Sequence, residues 1–114
     1  MNEVMSGIKY QRLASRTINP ALTKKELEHH ALFGMASELG EIQGIYQKTY
    51  QGHGFDPVHL KSELGDLLWF IAEYCTAMDW HLEDVMQDNI LKLMERYPAG
   101  FDTEHSLHRK EGDI

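Results

Sequence analysis

An all-α fold follows from three observations on this 114-residue chain. Apolar residues recur at helical spacing through four long segments, strand-type alternation is absent, and all three prolines fall at segment boundaries. The expected architecture is one domain over residues 1–114, polar from about residue 103. It is a four-helix, bundle-like protomer whose helices also pack across an oligomer interface.

The first helix is expected from Ile8 to Thr17, stopping before Asn19-Pro20, where proline ends it. The second opens at Thr23-Lys-Lys-Glu26, a capping-box pattern, and continues to Lys48. Gln51-Gly-His-Gly54 makes a loop, and Asp56-Pro57 supplies an N-cap and a first-turn proline for a third helix ending near Ala77. The fourth covers Leu82 to Tyr97 and is closed by Pro98 and Gly100; beyond Asp102 the chain reads as a loose, polar tail. The third helix carries Leu64, Leu68, Ile71, Ala72 and Cys75 in addition to its Leu60, Leu67, Phe70 and Tyr74 stripe. A helix apolar nearly all round needs cover from several directions, which points to a homodimer or homotetramer.

Composition narrows the function. The chain is 42% hydrophobic and 25% charged, ordinary for a globular protein. No stretch approaches the ~20 apolar residues of a membrane span, and the start, MNEVMSGIKYQR, has no apolar leader core. The single cysteine, Cys75, excludes an internal disulfide, suits a cytoplasmic setting, and lies in an apolar run where a buried, inert thiol is expected. A net charge of −7 disfavours nucleic acid as a partner. It does not exclude a small phosphorylated ligand held through metal ions.

Four carboxylates carry the chemistry. Glu38 and Glu41 in ASELGEIQG, and Glu63 and Asp66 in KSELGDLLWF, are each spaced i, i+3, so each pair shares one helix face. At about 100° per residue, Glu38 falls within the stripe of Leu27, Ala31, Met35, Ile42 and Ile45, and Glu63 within that of Leu60, Leu67, Phe70 and Tyr74. Acids aimed at a core are costly unless compensated. Two such pairs on helices joined by a short loop come together when the helices pack antiparallel, and a divalent cation compensates them. An all-oxygen ligand set favours Mg²⁺ or Mn²⁺ over zinc or copper. On the fourth helix Asn89, Lys92 and Arg96 share a face beside the stripe Leu82, Met86, Ile90, Leu93 and Tyr97. An amide, an ammonium and a guanidinium in line suit phosphate oxygens, completing a polyphosphate clamp.

The arrangement Glu38-Leu-Gly-Glu41, then Glu63-Leu-Gly-Asp66, resembles the ExxE…ExxD signature of the MazG-like, all-α nucleoside triphosphate pyrophosphohydrolases. The likeness extends to Tyr10-Gln11, the Gly52-His53-Gly54 loop, Asp66-Leu-Leu-Trp69, Asn89-Ile-Leu-Lys92 and Arg96-Tyr97-Pro98, as in the small single-domain members. The resemblance implies Mg²⁺-dependent hydrolysis of a (deoxy)nucleoside triphosphate between the α and β phosphates, clearing non-standard or surplus nucleotides. It makes Glu38, Glu41, Glu63 and Asp66 the metal ligands and catalytic set. Lys92 and Arg96 become phosphate holders, with Asn89 and Tyr97 near the sugar or phosphates.

Other positions keep two readings. Trp69 can stack on a base or pack in the core; Lys48 can reach a phosphate or offset the helix dipole. No HExxH-type metal spacing exists, and Ser37 stands where some relatives carry an extra acid, so no general base is assigned from that position. A carboxylate-bridged di-iron bundle would want Glu-x-x-His on two helices, and Glu41 and Asp66 occupy those fourth positions. The remaining alternative is a non-catalytic helical module that senses nucleotides or binds a partner protein.

Overall fold

The computed structural model describes residues 4–114. The first three residues of the stretch read for a leader lie outside the described residues. The described chain is helical, in the order α1 (Gly7–Ser15), α2 (Lys24–Thr49), α3 (Pro57–Ala77), α4 (Leu82–Arg96) and α5 (Thr103–Leu107). No helix among the described residues is long and apolar enough to cross a membrane.

Local chemistry sets the boundaries of α2 and α3. Thr23 accepts from the N–H of Glu26, and the Glu26 carboxylate accepts from the N–H of Thr23 at 2.9 Å, closing the capping box. Asp56 caps α3 through the N–H of His59 at 3.0 Å, with Pro57 in the first turn. The end of α3 is a Schellman motif: Trp80 N–H reaches Cys75 C=O at 2.8 Å and Asp79 N–H reaches Thr76 C=O at 3.2 Å. Asp79 takes the left-handed position at φ +58°, which fixes a tight turn into α4.

α1 ends two residues earlier than the spacing predicts. Arg16, Thr17 and Ile18 continue as tighter turns, each N–H reaching back three residues. α1 and α4 then complete each other's ends. Glu83 of α4 accepts from the N–H of Ile8 at 2.9 Å, and Gln11 of α1 accepts from the N–H of Leu82 at 2.8 Å. Gln11 also donates to Thr76 Oγ1 and to the carbonyl of Trp80, tying three helices at one point. These bonds satisfy first-turn N–H groups that lack an intrahelical partner.

α2 and α3 form an antiparallel hairpin, the most extensive pairing in the molecule. Its seam runs from His30 against Glu73, through Gly34 against Phe70, to Glu38 against Glu63. A Cβ at Gly34 would overlap the Phe70 ring, so glycine lets the two helices approach there. A small core forms where α1, the end of α3 and the start of α4 meet: Ala72, Cys75 and Leu82 are buried, with Tyr10, Ala14 and Ile71 packed on them. Burial raises the pKa of the Cys75 thiol, in keeping with the inert role expected of it.

On α4 Leu82 is buried and Tyr97 half-buried, while Met86 and Ile90 are 48% and 55% exposed. One expectation needs correcting: the polar tail is not loose. Asp102 caps α5 through the N–H of His105, and the segment beyond it docks back on α4 through Asp113.

Candidate metal centre

The hairpin seam brings three of the four acidic residues into one cluster. Carboxylate oxygens of Glu38, Glu63 and Asp66 lie within 4.8 Å of one another. Glu38 comes from the middle of α2, where two turns separate it from the Ala31 that anchors that face in the core. Glu63 and Asp66 come from adjacent turns of α3. Glu41 is exposed and stands outside the triad, acting on it through its charge.

The electrostatics of the cluster are those of a site short of positive charge. Oε2 of Glu38 is buried with no hydrogen-bond partner among the described residues. The Glu38 carboxyl is pushed up to about 7, first by its hydrogen bond with Glu63, then by burial and by the charges of Glu63, Asp66 and Glu41. Glu63 moves the other way. Its bond with Glu38 lowers it, and His59 Nε2, 3.0 Å away, supports its ionised form. Together these shifts describe one proton held between two carboxyls at neutral pH. A divalent cation fits that place: three carboxylates offer converging hard oxygen donors, and one of them carries a buried, unpartnered oxygen.

Tyr10 adds a neighbour that sequence spacing could not supply. Burial, then the negative charge of Asp66, raises its phenol. The other end of the seam holds Glu73, 1% exposed, with both carboxylate oxygens within 2.9 Å of His30 Nδ1. The only sequence signal for that pair was an acid beside Ala72 and Cys75 in an apolar run.

The remaining site candidates are dispersed. Asn89 and Lys92 are exposed on α4 and line a cavity of about 670 Å³ with Trp80 and His81. Arg96 is bound by Asp113, and Tyr97 lies against its guanidinium at 6.0 Å. Neither cavity lined by these α4 groups is lined by Glu38, Glu63 or Asp66. Trp69 donates its indole N–H to Thr17 Oγ1 at 2.8 Å and sets its ring edge-on to Phe70. Lys48 is exposed in the last turn of α2.

The model of the MazG nucleotide pyrophosphohydrolase domain matches residues 24–101, which include α2, α3, α4 and every acidic residue of the cluster. The chain belongs to the MazG family. It is also similar to the Gene 37 protein of Mycobacterium phage L5, 31% identical over 78 residues, covering 62% of this chain and 67% of that one. No solved structure matches the chain. MazG membership agrees with the all-helical fold, and an acidic cluster able to hold a divalent ion lies where the two matched carboxylate motifs meet. α1 and the docked tail lie outside the matched segment.

Proposed function

We propose that this chain hydrolyses a (deoxy)nucleoside triphosphate between its α and β phosphates, releasing the monophosphate and pyrophosphate with Mg²⁺ as cofactor and Mn²⁺ as a substitute. The observation that carries this reading is the buried, unpartnered Oε2 of Glu38 inside a triad of carboxylates. A site serving only stability would not gather acids and leave one unsatisfied.

Glu38, Glu63 and Asp66 hold the ion, with Glu41 joining from the next turn of α2. The bound ion neutralises the polyphosphate and lowers the pKa of a bound water. Glu38 must give up its shared proton before the ion enters, so loading improves as pH rises past about 7. Lys92 and Arg96 receive phosphate oxygens, with Asn89 and Tyr97 near the sugar or phosphates. Trp69, whose N–H is committed to Thr17, offers a base only a ring face. Lys48, exposed in the last turn of α2, is assigned to an outer phosphate. Homo-oligomers covering the exposed stripes of α3 and α4 would bring α4 cations to an acidic seam, a meeting the single chain does not make. A cytoplasmic setting suits the free thiol and the substrate class.

The test is a panel of canonical and modified nucleoside triphosphates with Mg²⁺, reading pyrophosphate against orthophosphate. Pyrophosphate with the monophosphate is expected. Orthophosphate alone contradicts cleavage at the α–β bond, and binding without any product makes the chain a nucleotide-sensing module.

A further inference from the structure

The segment after α5 folds back onto the cationic face of α4. Gly112 adopts φ +86°, a conformation that a side chain would strain, and the N–H of Asp113 closes the turn on the carbonyl of Lys110 at 3.1 Å. Asp113 then takes two hydrogen bonds from Arg96, Nε to Oδ2 at 2.8 Å and Nη2 to Oδ1 at 2.6 Å. A carboxylate seated in a guanidinium fork occupies the geometry that a phosphate would take. The pair is sheltered: the Arg96 and Asp113 side chains are 9% and 13% exposed. A cavity of about 400 Å³ beside it is lined by Lys92 and Lys110, and also by Asp88 and Glu95. An anion entering there is therefore best accompanied by a divalent cation. Hydrogen bonding to Arg96, and the charges of Arg96, Arg109 and Lys92, hold Asp113 below the usual carboxylate range, so it is present as the anion.

We propose that residues 109–114 form a built-in competitor, with the Asp113 carboxylate occupying the Arg96 fork until a polyphosphate displaces it. This rests on the reading of Arg96 as a phosphate-binding residue. The docked segment acts as a tax on affinity, since apparent binding falls in proportion to the fraction of chains whose fork is open. A permanent staple that merely orients Arg96 would have the opposite sign, because loosening it would weaken anion binding. The two devices are therefore separable by the direction of one change.

The experiment measures binding of tripolyphosphate, with Mg²⁺ present, by calorimetry on the full chain and on two full-length variants checked for helicity. Asp113→Asn removes the competing charge, and Gly112→Val strains the turn while leaving that charge in place. If the segment is docked about nine-tenths of the time, both variants bind about tenfold tighter. Unchanged or weaker affinity in the folded variants overturns the proposal, as does a wild-type chain and variants that all fail to bind the anion. Pyrophosphate release is read in parallel. Tighter binding without hydrolysis by any of the three sinks the proposed activity and leaves the competitor standing. Normal hydrolysis with unaltered affinity does the reverse.

Discussion

At the scale of residues, Glu38 concentrates the physics of the site. Its carboxyl is raised from the ordinary glutamate value to about 7 in the fold, so the folded chain binds more protons than the unfolded one between those values. Stability from this group is therefore fully present at low pH and is lost as pH rises through about 7. In thermal melts of metal-free protein, Glu38 should pull Tm down between pH 4.5 and about 7, and Mn²⁺ should restore it at pH 8. Glu38→Gln should flatten that dependence, keep the helical fold and abolish turnover. A variant that keeps both the slope and wild-type activity would show the carboxylate to be merely structural. Glu38 was conspicuous from its place in an apolar stripe, because periodicity reports which way a side chain points. Tyr10 beside Asp66, and Asp113 in the Arg96 fork, were not, because both depend on tertiary approach of distant segments.

At the scale of elements, the α2–α3 seam determines whether the acids meet. Phe70 packs against Gly34 and is hemmed by the rings of His30 and Trp69, so it has little room to yield. Gly34→Ala gains about 1 kcal/mol of helix propensity, but overpacking typically costs about 1–3 kcal/mol. A net loss of stability is expected in urea unfolding, together with weaker Mn²⁺ binding as Glu38 moves from Glu63 and Asp66. Stability equal to wild type or better would mean that the Phe70 ring yields to the added methyl. The limits of α2 and α3 were legible to within a residue because capping box, Asp-Pro start and apolar period all agree on them. The end of α1 and the existence of α5 were not. Short tight turns and a five-residue helix carry too little period to read.

At the scale of the whole molecule, the single chain is more open than its length requires. Its radius of gyration is 17.5 Å, against about 13 Å for a compact chain of this size. Leu64 and Leu68 on α3, and Val85, Ile90 and Met94 on α4, are all more than 40% exposed, which is unusual for so many large apolar groups on adjacent helices. Light scattering at micromolar concentration should therefore return a mass of two or more chains, and a monomer would remove the assembly from the account. The all-round apolarity of α3 gave this expectation. What it could not give is the direction in which α4 leaves the bundle, which a turn with Asp79 in a left-handed conformation sets.

Titration of metal-free protein with Mn²⁺ tests whether the acidic seam between α2 and α3 is a metal centre, without any assumption about substrate. A saturable class of Mn²⁺ sites is expected in the wild-type chain, displaced by Mg²⁺, strengthened above pH 7 and lost in both Glu38→Gln and Glu63→Gln. Undiminished Mn²⁺ binding by those two folded variants would contradict it.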